Sequence, residues 1–86
     1  MVRQLKAFDI IPGDEIEIEE NAKWLSLVVK DNKIKLIAET DSTAAKACYR
    51  FHEFEVGDVI DPSLKFINSV EYEDSGRFTQ IYLQKL

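Results

Sequence analysis

Apolar and polar residues alternate along most of this chain, and the alternation is strictest between Glu15 and Glu19, where two isoleucines share one side of an extended strand and three glutamates the other. An earlier strand is expected over residues 2–11, where β-branched and aromatic residues gather before the turn chemistry of Pro12, Gly13 and Asp14. Residues 22–39 read as a β-hairpin around a two-residue turn at Asp31 and Asn32, both tolerant of positive φ. That turn sets Lys30 opposite Lys33. It places Leu25, Leu27 and Val29 on the same face as Ile34, Leu36 and Ala38, a core face. Trp24, Ser26, Val28 and Lys30 then share the reverse face with Lys33, Lys35, Ile37 and Glu39, a mixture of apolar and charged groups.

Beyond Glu39 the pattern changes. Asp41 or Ser42 is placed to cap a short helical turn within residues 42–48, through Ala44, Ala45 and Ala47. An extended segment from Tyr49 to Val56 carries Tyr49 and Phe51 on one side and Arg50, His52 and Phe54 on the other. A second hairpin is expected over residues 66–84, turning at Asp74, Ser75 and Gly76, with Glu73 opposite Arg77 and Tyr72 opposite Phe78. In that register Phe66, Val70, Tyr72, Phe78 and Tyr82 line one face, and Ile67, Ile81 and Leu83 the other. Both hairpins therefore present apolar groups on both faces, which one small sheet cannot cover. The expected fold is mostly β: a small antiparallel sheet, sandwich or partly open barrel built from the two hairpins, or one whose exposed face a second subunit covers.

With 86 residues the chain makes a single domain, and its core is small, since a chain of this length buries only roughly 60–65% of its unfolded surface. Sixteen acids against eleven bases give a net charge of −5, with the cations scattered. Duplex nucleic acid, which needs clustered cations, is not an expected partner. Cys48 is the only cysteine, so no intramolecular disulfide forms. No stretch approaches the ~18 apolar residues of a membrane span, and the N-terminus lacks a signal-peptide apolar block. A cytoplasmic protein without membrane contact is the expectation.

Catalytic signatures are nearly missing: one histidine, His52, and no glycine-rich phosphate loop, GxSxG or HExxH. The expectation is a non-enzyme with no cofactor and no metal site. Glu15, Glu17, Glu19 and Glu20 form an acidic run that could bind a divalent cation or imitate a phosphate backbone, but its alternate carboxylates stand about 7 Å apart along one strand, too wide for a carboxylate cage, and read as a solvated face. Trp24 on the mixed hairpin face suits a second core layer, an oligomer seam or the stacking floor of a pocket. Lys46, Tyr49, Arg50 and His52 bring cations and an aromatic together, a chemistry that can hold an anionic aromatic molecule such as a nucleotide.

Three stretches, ENAKWLSLVVKDNKIKLIAETD, YRFHEFEVGDVIDP and KFINSVEYEDSGRFTQIYL, together resemble a family of small, functionally uncharacterised β-rich proteins encoded mainly by bacteriophages. Ala22, Leu25, Val28, Ile34, Leu36 and Gly57 agree with its pattern, while Glu55 and Asp58 depart from its GTG-His segment and Gln80-Ile81 from its Trp-His pair. The resemblance implies a phage origin and a compact, mostly β fold. The functional expectation is a phage accessory protein binding in the host cytoplasm, in a specific form a counter-defence protein that sequesters a signalling nucleotide. A homo-oligomer would build the pocket from Trp24, Arg50, His52 and Arg77, with Lys46 and Tyr49 as further ligand-binding candidates. The alternatives are an acidic inhibitor of a host protein, acting through Glu15, Glu17 and Glu19, and a small virion or assembly component.

Overall fold

The computed structural model describes residues 3–41 and 43–86. Among these residues seven strands follow one another: β1 (Arg3–Ile10), β2 (Glu15–Glu19), β3 (Lys23–Lys30), β4 (Lys33–Asp41), β5 (Lys46–Phe54), β6 (Lys65–Glu71) and β7 (Phe78–Lys85). They form two antiparallel sheets, one ordered β1-β4-β3 and the other β2-β5-β7-β6, stacked as a sandwich that does not close into a barrel. Its core joins Ile10, Leu27, Ile34 and Leu36 of the three-stranded sheet to Ile18, Tyr49, Phe51, Val70 and Ile81 of the four-stranded one. The two apolar inner faces thus cover each other, while Val28, Phe66 and Phe78 remain exposed outside that core.

The central hairpin has the expected turn. Asp31 and Asn32 adopt φ of 53° and 58°, and Lys30 stands opposite Lys33. Leu27, Ile34, Leu36 and Ala38 are buried and Val29 half-buried. Leu25 is the correction to the expected core face. The ladder slips between Trp24 and Ser26, so that Trp24 pairs with Ala38 and Ser26 with Ile37, and Leu25 is left as the extra residue of a β-bulge, 47% exposed. The bulge reverses the alternation upstream of it, so Trp24 turns inward and packs against the core.

Residues 43–45 contain no helix. The Asp41 carboxylate accepts from the Thr43 amide at 3.0 Å and the Thr43 hydroxyl at 2.7 Å, and the Ala44 amide donates to the Asp41 carbonyl at 3.1 Å. This side-chain turn competes with helix initiation, and β5 follows at once. Ser42, the other proposed cap, lies outside the described residues. In β5 Tyr49 and Phe51 are buried, with Arg50, His52 and Phe54 on the outer side as expected.

The second hairpin forms with its register one residue away from expectation. Glu71 pairs with Phe78 and Val70 with Thr79, and the Tyr72 amide donates to the Arg77 carbonyl at 3.0 Å. The loop spans residues 73–76, closed by the Gly76 amide on the Tyr72 carbonyl at 2.8 Å with Gly76 at φ 65°. A one-residue slip exchanges faces. Val70 and Tyr72 therefore join Ile81 and Leu83 against the core, while Phe66 and Phe78 are half or more exposed. A second bulge, between Phe66 and Asn68, leaves Ile67 as its extra residue.

Candidate functional site

Both bulges lie on edge strands, β3 of one sheet and β6 of the other, and these two strands are in contact across the sandwich. An extra residue bends a strand and locally interrupts its ladder, and Trp24 and Ile67, at the two bulges, both line openings on this side of the sandwich. Two adjoining clefts lie here. One, about 320 Å³, is lined by Glu20, Ala22, Trp24, Tyr49, Ile67 and Leu83, with Lys65 at its rim. The other, about 140 Å³, is lined by Trp24, Leu25, Ser26, Leu27, Leu36, Ile67 and Asn68. Trp24 and Ile67 border both.

The indole is held firmly. It meets Tyr49 edge to face with ring centroids 5.4 Å apart, and it tilts against Phe51 at 5.7 Å. Its half-buried position leaves one side toward the cleft. Trp24 and Tyr49 are thus the two sequence-predicted ligand residues that the fold brings together. Lys65 and Glu20 complete the polar lining; Lys65 was not among the candidates, and Glu20 was singled out only as part of the acidic run.

The other four candidates lie elsewhere. Lys46 is exposed at the start of β5, opposite Glu19. Arg50 pairs with Glu15 at 3.1 Å on the outer face of the four-stranded sheet. His52, on the same face, has Nε2 2.9 Å from Gln84 Oε1 and stacks on Phe54 at 6.1 Å; the row continues through Tyr82 to Phe66 at 5.4 and 5.5 Å. Arg77 sits by the β6–β7 loop, where it pairs with Glu53 at 3.1 Å and Glu55 at 3.3 Å and lies 5.0 Å from the Tyr72 ring. A single chain therefore does not assemble the pocket expected from Trp24, Arg50, His52 and Arg77.

Tyr72 and Glu19 are among the ionisable groups shifted by their surroundings. Burial, reinforced by the hydrogen bond to the Glu53 carboxylate, pushes the Tyr72 phenol up to about 12. Glu19 is only 3% exposed, which corrects its place in a solvated acidic face. A hydrogen bond from its own backbone amide, then the Lys6 ammonium at 3.0 Å, hold its carboxyl below the ordinary range. With Glu15 paired and Glu19 buried, the three alternating glutamates do not form one free acidic surface. Among the described residues no group of three or more His, Cys, Asp and Glu side chains is placed to hold a metal ion. Nor is any helix long and apolar enough to cross a membrane.

Compared with known proteins, the chain matches no family model, no curated protein and no solved structure. The site therefore rests on its own geometry.

Proposed function

We infer that this protein is a non-enzymatic binding module that holds a small, flat, anionic ligand of the nucleotide class in the cleft beside Trp24. The observation that carries the reading is the lining of that cleft, where Trp24 and Tyr49 meet edge to face with Lys65 and Glu20 beside them. A volume of about 320 Å³ lies at the lower end of small-ligand sites. In the bound state the base lies against Trp24 and Tyr49, Lys65 pairs with the phosphate, and Glu20 accepts from ring or exocyclic N–H groups. The resemblance to phage-encoded proteins supports a setting in the host cytoplasm, where capture of a signalling nucleotide acts as counter-defence.

A thermal-shift panel of linear and cyclic nucleotides tests the reading. A ligand that binds only the folded chain raises the melting temperature as its concentration passes Kd. A flat response across the panel at millimolar concentrations refutes it.

A second reading, contact with a host protein, draws on a different observation. The row His52, Phe54, Tyr82 and Phe66 is rich in aromatics on an outer sheet face, as the centre of a protein interface is. Capture of a host protein by the wild type, lost on Phe66→Ala with the nucleotide response intact, would favour it.

A further inference from the structure

Three of the four sheet edges carry a feature that discourages pairing with another chain. β3 and β6 are bulged, and β2 is five residues long with glutamates at alternate positions. β1 is guarded least: its half-buried charge, Lys6, is already paired with Glu19 across the sandwich. Among the described residues it runs eight residues without proline, glycine or bulge, pairs with β4 alone, and exposes Leu5 to 69%. We propose that β1 is the seam of a homodimer, pairing antiparallel with β1 of a second copy to join two three-stranded sheets into one. The seam lies on the opposite edge of the sheet from the cleft and is independent of it.

The hairpin fixes the backbone polarity of that edge. In a two-residue turn the flanking residues, Lys30 and Lys33, exchange hydrogen bonds, and the pattern then alternates. Lys33, Lys35 and Ile37 thus bond toward β3, and Ile34, Leu36 and Ala38 bond toward β1, where they meet Ile10, Phe8 and Lys6. It follows that Arg3, Leu5, Ala7 and Asp9 direct their N–H and C=O groups away from the sheet, toward the free edge.

A symmetric antiparallel partner must match these residues with one another. Among the registers that do so, the one centred on Lys6 sets Arg3 opposite Asp9 of the partner subunit and Leu5 opposite Ala7 of the partner subunit, and uses the edge from Arg3 to Asp9. Shifting the centre to Leu5 or Ala7 shortens the overlap and loses the Arg–Asp pairs. On the outer face Arg3 already pairs with Glu39 at 2.8 Å, and Asp9 with Lys35. The seam therefore extends each pair into a row of alternating charge: Lys35, Asp9, the partner's Arg3 and the partner's Glu39. Lys6 faces Lys6 of the partner subunit at the axis, and each ammonium is held by its own Glu19.

Ala7→Pro tests the seam. It removes an outward N–H and no bond to β4, a position where an edge strand accepts proline. Light scattering should give the wild type twice the chain mass of 9.9 kDa and Ala7→Pro the single-chain mass. Amide exchange on the wild type supplies a readout that needs no variant. The Leu5, Ala7 and Asp9 amides should be protected at high protein concentration and exchange freely on dilution. A wild type of single-chain mass throughout, an Ala7→Pro variant that stays dimeric, or a dimer whose Leu5 and Ala7 amides exchange freely each overturns the proposal.

Discussion

Trp24 meets Tyr49 edge to face across the interior of the sandwich, with ring centroids 5.4 Å apart and planes at 73°. The contact ties β3 of one sheet to β5 of the other at the side where the clefts open. Trp24→Ala should cost about 2–3 kcal/mol, below the 3–5 of a fully buried tryptophan, because the indole is only half-buried. Urea unfolding followed by circular dichroism measures it.

Leu25 and Leu27 offer a sharper comparison. Plain alternation along β3 makes both core residues, and the bulge makes only Leu27 one. Leu27→Ala should cost about 2–5 kcal/mol and Leu25→Asn no more than about 0.5. Equal, large costs in denaturant melts would show that the ladder has no bulge.

The Lys6–Glu19 pair should govern part of the acid response. Because the folded carboxyl titrates below its unfolded value, the stability it contributes is full above the unfolded pKa and lost as pH falls through the folded one. Glu19→Gln should therefore flatten stability against pH below about 4.5, the unperturbed glutamate value. Lys6→Ala, which strands a buried carboxylate, should cost about 1–3 kcal/mol at neutral pH.

Tyr72 supplies the opposite sign. Its phenol is raised from 10.0 to about 12, so its contribution is full below pH 10 and lost as pH rises toward 12. Tyr72→Phe should remove that alkaline loss, together with the component of the ultraviolet phenolate titration near pH 12.

Period-2 patterning and turn chemistry made much of this fold legible. The Asp31-Asn32 turn, the inward Ile16 and Ile18, and the division of Tyr49 and Phe51 from Arg50, His52 and Phe54 all follow from local rules. The two bulges do not. Leu25 and Ile67 are apolar residues within their strands, with no glycine or proline to mark an interruption, so alternation assigns each to an ordinary ladder position. The second hairpin slipped for a related reason, since its loop closes at Tyr72 and Arg77 and the turn residues Asp74 to Gly76 fit either a three- or a four-residue connection. The cleft lies between strands of different sheets, whose stacking no local rule gives, so Lys65 could not be read as its neighbour and Glu20 was legible only as part of an acidic run, whereas Trp24 stood out as a possible pocket floor and Tyr49 as the aromatic of a cation cluster.

The most direct test of the cleft is a titration of the single tryptophan's fluorescence with nucleotides, repeated on Lys65→Glu and on the double variant Arg50→Ala, His52→Ala. A saturable change in Trp24 emission is predicted, weakened roughly tenfold or more by Lys65→Glu, the value of one charge-assisted hydrogen bond, and unchanged in the double variant. Emission that stays constant across the panel, or binding that depends on Arg50 and His52 and ignores Lys65, would contradict the assignment.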